Sequence, residues 1–213
     1  MLAASMLAAL GACGVRTGGD GDDGDLADAD VDGLTNRECT PTIGDLDQPV
    51  EVRPVYVDHH GQVHALEGGA VGLLQPIQGG HVLMVGLEAR NLRGCLGMIA
   101  GTLRDPASAA AIATEERFTQ LLVGEDGWGH LAFPPIATSA NLTTCPMNGL
   151  TRDIDGSTWR LELTITDDRG RSGAWAGDVV PFCPTDIPDL EACPCQCDAD
   201  WVFGEPCAID PAR

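Results

Sequence analysis

From residue 50 onward, apolar and polar positions alternate in short runs broken by Gly and Pro. Residues 50–57 carry Val50, Val52, Val55 and Val57, with Pro54 marking a sheet edge or a bulge. Residues 62–66 and 71–75 are further short strand candidates. Residues 81–91 are stronger: Leu83, Val85, Leu87 and Ala89 share one face, and Glu88 and Arg90 lie on the other. Residues 95–103 follow after a turn at 92–94. The alanines of 107–116 suit a helix as well as a strand, and 118–123 and 128–133 resume strand character. The cleanest hairpin comes last. Trp159, Leu161, Leu163 and Ile165 alternate with Arg160, Glu162, Thr164 and Thr166, so one face is buried and one is wet. Turn residues 167–170 lead into a return strand, 172–182, with Trp175, Val179 and Val180.

Seven or more short strands with little helix predict an all-β domain, an antiparallel β-sandwich of immunoglobulin-like type, over residues 39–183. Pro54, Pro134 and Pro135 are expected to blunt its open edges.

The first residues are patterned differently. Residues 2–10 form an apolar run too short to span a bilayer, and Leu10, Gly11 and Ala12 lead directly into Cys13. Small residues before a cysteine allow an extended chain to enter a peptidase groove, and the thiol can then take a diacylglycerol. This stretch resembles the lipobox of bacterial lipoproteins, which implies a signal peptide at 1–12 and lipidation of Cys13. No Lys or Arg precedes Arg16, so the usual charge before the run would come from the amino terminus or from residues upstream. Gly14 follows the cysteine where an acid would retain such a protein at the inner membrane. The resemblance therefore implies an outer-membrane lipoprotein facing the periplasm or the cell exterior. A second resemblance rests on QPIQGGHVLMVGLEARNL (75–92) and the closing VVPFC (179–183). These segments are similar to surface lipoproteins common in myxobacteria, which implies location and fold rather than activity.

Charge narrows the partners. Twelve basic against 32 acidic residues leave a formal charge of -20, which excludes nucleic acid, because phosphate backbones need Lys and Arg. The expected partners are the membrane, through the lipid, and an envelope or extracellular protein or glycan. Residues 13–38 read as a disordered tether. The run 18–33 holds seven Asp and no basic residue, so it cannot fold alone. Counted from Gly14 to Asn36, a flexible chain spans about 25–30 Å, and like charges extend it. Asp28, Asp30, Asp32 and Gly33 also match the opening of a calcium loop. Position twelve of that loop is Cys39, with Glu38 one residue early, so the closing carboxylate is displaced and a solvated spacer is the better reading.

Nine cysteines become an even set if Cys13 is acylated: Cys39, Cys95, Cys145, Cys183, Cys193, Cys195, Cys197 and Cys207. In an exported chain that set predicts disulfides. Residues 184–213 form a cysteine-rich tail. Its alternating Cys193, Cys195 and Cys197 are each expected to bridge elsewhere, since extended neighbours point to opposite sides. Cys195 to Cys207 resembles the closing half of an EGF-like module, one residue too long between Cys197 and Gly204.

Two metal readings compete with these. Cys193, Cys195 and Cys197 could hold a soft cation such as Zn(II) or Cu(I). His59, His60 and His64 could do so on a hairpin, with His81 or His130 completing the set. Nucleophilic catalysis lacks a motif, since no G-x-S-x-G occurs. Glu115 with Glu116, and Asp167 with Asp168, are chain neighbours that a strand would turn to opposite faces. The sequon at Asn141 is incidental in a bacterial lipoprotein. The sequence thus predicts no enzyme and no resident cofactor; the alternatives are calcium on the tether, or a periplasmic metal-binding or metalloenzyme domain using His59, His60 and His64.

Overall fold

A computed structural model describes residues 42–185, 187 and 192–207. Cys13, the tether with Asp28, Asp30, Asp32 and Glu38, and Cys39 lie outside the described residues. In chain order the first strands are β1 (Glu51–Val57), β2 (Val63–Ala65), β3 (Ala70–Gly72), β4 (His81–Arg90) and β5 (Gly97–Arg104). They are followed by β6 (Ala111–Thr119), β7 (Leu121–Val123), β8 (Gly129–Leu131) and a single helical turn, α1 (Pro135–Thr138). The last elements are β9 (Ala140–Cys145), β10 (Trp159–Asp167), β11 (Ser172–Phe182) and a second turn, α2 (Cys193–Gln196).

These strands form two sheets. One has the order β2-β1-β4-β8-β7, with β9 paired to the first half of β4; the other runs β3-β11-β10-β5-β6. All pairings are antiparallel except β3 with β11. The chain is therefore mostly β, as the alternation predicts.

The alternation in β10 shows why. Trp159, Leu161, Leu163 and Ile165 are buried, and the residues between them are half-exposed. Their inward face joins Leu83, Val85 and Leu87 of β4, Leu142 of β9, Leu103 of β5 and Val179 of β11 in one continuous core. The sheets approach closely at Gly101, where an added Cβ would sit 3.1 Å from Ala140 Cβ. In β11 the inward positions include Gly173, Trp175, Gly177 and Val179, and the Trp175 ring covers the space a side chain at Gly177 would fill.

The structure departs from the pattern at two strands, β4 and β9. Residues 81–87 of β4 are buried on both faces, where one wet face was expected. Leu131 packs over Gly86, where a Cβ would lie 2.8 Å from its δ carbon. Strand β9 was not legible from ANLTTC, in which the sequon hides a run that buries Ala140, Leu142, Thr144 and Cys145. The alanine-rich stretch resolves as strand from Ala111 onward.

The prolines do not guard edges. Pro54 lies opposite Leu87 in a strand paired on both sides, and its carbonyl accepts the Leu66 N–H. Pro134 and Pro135 instead start the turn α1. Edge protection comes from side chains. Glu115 of β6 accepts the backbone N–H of Asn141 in β9, and Arg117 bonds both Glu115 and the Ile136 carbonyl.

The tail is stapled to the domain. Cys145 at the end of β9 bridges Cys197, Cys183 after β11 bridges Cys193, and Cys195 bridges Cys207. Cys95 is also disulfide-bonded. The three tail cysteines do reach elsewhere, but from a helical turn rather than an extended chain. Backbone bonds reinforce the staples: the Ile154 N–H donates to the Cys197 carbonyl, and the Ala199 N–H to Asp153.

Candidate functional site

The clustered histidines occupy the turn between β1 and β2. Asp58 organises it, accepting the backbone N–H groups of His60 and Gln62, each at 2.9 Å, through Oδ1. Its Oδ2 lies 2.7 Å from His64 Nε2. Burial pulls the Asp58 carboxyl upward, but these three partners together hold it below the ordinary carboxylate range. Gly61 takes the left-handed φ of +74° that the tight turn requires. His64 stacks on Tyr56, and the His59 and His60 rings lie 3.8 Å apart. The turn is no helix, and the three rings do not converge: His64 is directed to Asp58, and His59 and His60 to each other. Beside it lies a recess lined by Tyr56, Asp58, His59, Gly72, Leu73, Phe182 and Pro184.

His130 lies elsewhere, on β8. Its Nδ1 is 2.6 Å from Glu88 of β4 and its Nε2 is 3.0 Å from Asp126. Arg53 reaches Asp126 at 3.6 Å and also lies over the Trp128 ring, 3.6 Å from its centroid. Arg90 covers the same ring at 4.8 Å and pairs with Glu51 at 2.6 Å. This is a charge lattice fastening the β7–β8 hairpin to β4 and β1, with no open ligand position on His130. Burial alone would push the His130 ring down, but the hydrogen bonds to Asp126 and Glu88 outweigh it and raise its pKa.

Such a raised value sets a sign. The stabilisation is fully present below about pH 6.5, the unfolded histidine's value, and is lost as pH climbs through the folded one. His81, pushed down by burial, works in the opposite direction and costs stability as pH falls below about 6.5. Urea unfolding of His130→Gln should therefore show a larger loss at about pH 6 than at about pH 9. Equal losses at both would contradict the doubly held imidazolium.

His81 is where the structure brings ligating groups together. It opens β4 and is 1% exposed; its Nε2 lies 2.9 Å from Gln196 Oε1, and its Nδ1 has no hydrogen-bond partner. One of its ring nitrogens lies with Cys193 Sγ and Cys197 Sγ so that all three are within 4.8 Å of one another. The 193–195–197 trio expected from sequence is thus split. Cys195 leaves toward Cys207, and His81 takes its place. The legible signal was the i, i+4 spacing of Cys193 and Cys197, which a helical turn puts on one side. The partner from β4, 112 residues before Cys193, had none.

One acid of each neighbouring pair, Asp167 and Glu115, is spent on architecture. Asp167, 5% exposed, accepts the N–H groups of Arg93, Arg169 and Arg171 and fixes the β10–β11 turn. Burial raises its carboxyl, and those three donors outweigh it to lower it. Glu115 holds β9, while Glu116 faces solvent. Among the described residues no helix is long and apolar enough to cross a membrane. A scan against protein-family models finds none that matches the chain, and a search of curated proteins likewise finds no match.

Proposed function

We propose that the chain is a lipid-anchored protein of the bacterial outer membrane, fixed through Cys13 and carrying its β domain on the acidic tether. Its role is binding or spacing at the envelope, without turnover. The observation that carries this reading is the oxidation state of the cysteines. All seven within the described residues are disulfide-bonded, a state that persists outside the cytoplasm and is rare within it. Export is what the lipobox-like segment independently implies.

The domain is read as an immunoglobulin-like sandwich. Strands β1, β4 and β9 neighbour one another in one sheet, and β11, β10 and β5 in the other, in the manner of the A-B-E and G-F-C orders of that fold. It departs from antibody domains in that neither β4 nor β10, the strands their inter-sheet bridge joins, holds a cysteine. The partner is an envelope protein or glycan met by the end loops or by the recess beside Asp58 and Phe182.

Cys13→Ala tests the anchor. Expressed in a Gram-negative host, the parent chain should enter the detergent-rich phase on cloud-point extraction, and the variant should remain aqueous. Identical partitioning of the two would sink the proposal.

A further inference from the structure

Two disulfides meet beside the first residue of β4. Cys145–Cys197 and Cys183–Cys193 each contribute one sulfur from the α2 turn, and the Sγ atoms of Cys193 and Cys197 lie 3.9 Å apart without being bonded to each other. Tetrahedral zinc with thiolates at about 2.3 Å sets its ligand sulfurs about 3.8 Å apart. Packed bridges alone can give a similar separation. What packing does not account for is His81. Its ring is buried, Gln196 Oε1 accepts from Nε2, and the Nδ1 lone pair is left with no donor. A buried acceptor without a partner is a cost that folds usually avoid.

We propose that this end of the domain is a reduction-gated site for Zn(II), with His81, Cys193 and Cys197 as ligands and Cys145 or Cys183 supplying the fourth. In the oxidised chain the sulfurs are held in the two bridges and the site is closed. A dithiol opens each bridge. One of its thiolates attacks a bridge sulfur, its second thiolate displaces the mixed disulfide, and the dithiol leaves as a disulfide. Two dithiols thus deliver four electrons and four protons, giving four thiols. Zn(II) then replaces the protons of the three thiols it binds, releasing three protons, and accepts the lone pair of neutral His81 with no change in its own oxidation state. Cys195 and Cys207 take no part, since they bridge each other and not either sulfur beside His81.

The test uses the full chain, oxidised or reduced with a phosphine that binds metals weakly, and titrates it with Zn(II) and with Co(II) as the spectroscopic probe. The oxidised chain should bind neither ion stoichiometrically. The reduced chain should bind one ion, with the intense visible bands of tetrahedral cobalt and thiolate-to-cobalt charge transfer. His81→Ala should weaken Co(II) binding at least tenfold and alter those bands, whereas Cys195→Ser with Cys207→Ser, and His60→Ala, should leave both unchanged. If reduction unfolds the chain, added Zn(II) should restore its near-ultraviolet circular dichroism, and failure to do so overturns the proposal. So does a reduced chain that takes up no cobalt, or one whose cobalt spectrum and affinity ignore His81.

Discussion

Replacing Trp159 by alanine lowers the unfolding free energy by about 3–5 kcal/mol. Trp159 is fully buried at the head of β10, faces Val179 across the ladder, and has the Arg152 guanidinium 5.7 Å from its ring centroid. The volume it leaves is not readily refilled, because its partner Val179 is held in register with β10 and the residues that follow are held by β5. Such a loss is a large fraction of the roughly 5–15 kcal/mol a domain commonly holds. Trp159→Phe is the informative control. The indole Nε1 has no hydrogen-bond partner, so phenylalanine gives up packing but no hydrogen bond and should retain most of the stability. Urea unfolding followed by far-ultraviolet circular dichroism checks both. An alanine variant as stable as the parent would contradict the core described above.

Removing the Cys145–Cys197 bridge, with both residues changed to Ser so that no lone thiol remains, costs about 4 kcal/mol on the chain-entropy account. The reason is loop length. This bridge spans 52 residues and ties the tail to β9, whereas Cys195–Cys207 spans 12. The same account gives about 3 kcal/mol for the shorter loop. The longer bridge also sets the place of the α2 turn, from which Gln196 reaches His81. Its loss should therefore loosen the tail as well as destabilise the domain, visible as faster proteolysis near residues 192–207. If removal of the 12-residue bridge is the more damaging, the tail is not held in the way the structure describes.

How much of this was legible depended on whether a residue's burial is decided by its own strand or by a distant one. β10 was legible because it has one wet face, so its period of two appears directly in the residue types. β4 was only half legible. Its pattern predicts an inner face, but the cover that buries Val82, Met84 and Gly86 comes from elsewhere in the chain, in part from Leu131. β9 was missed because threonines and a small alanine fill its ladder positions, and they mark a strand only when a partner is known.

The same distinction runs through the sites. The histidine turn was visible as a cluster of residue types, but Asp58, which takes His64 away from any shared ligand set, was not singled out. The oxidised cysteines were legible from parity and spacing, while their pairing depended on where β9 and β11 end. His81 was noticed only as a possible companion to other histidines. Its place beside Cys193 and Cys197 is a property of the folded sheet and has no local signal.

The central claim is that the chain lives outside the cytoplasm on a lipid attached to Cys13. Intact-mass measurement of the protein purified from native membranes, with and without prior alkylation, tests it most directly. The account predicts a polypeptide beginning at Cys13, heavier by its acyl groups, that takes up no alkylating reagent at the seven described cysteines until it is reduced. A chain that keeps the residues before Cys13, carries no lipid and alkylates freely would contradict it.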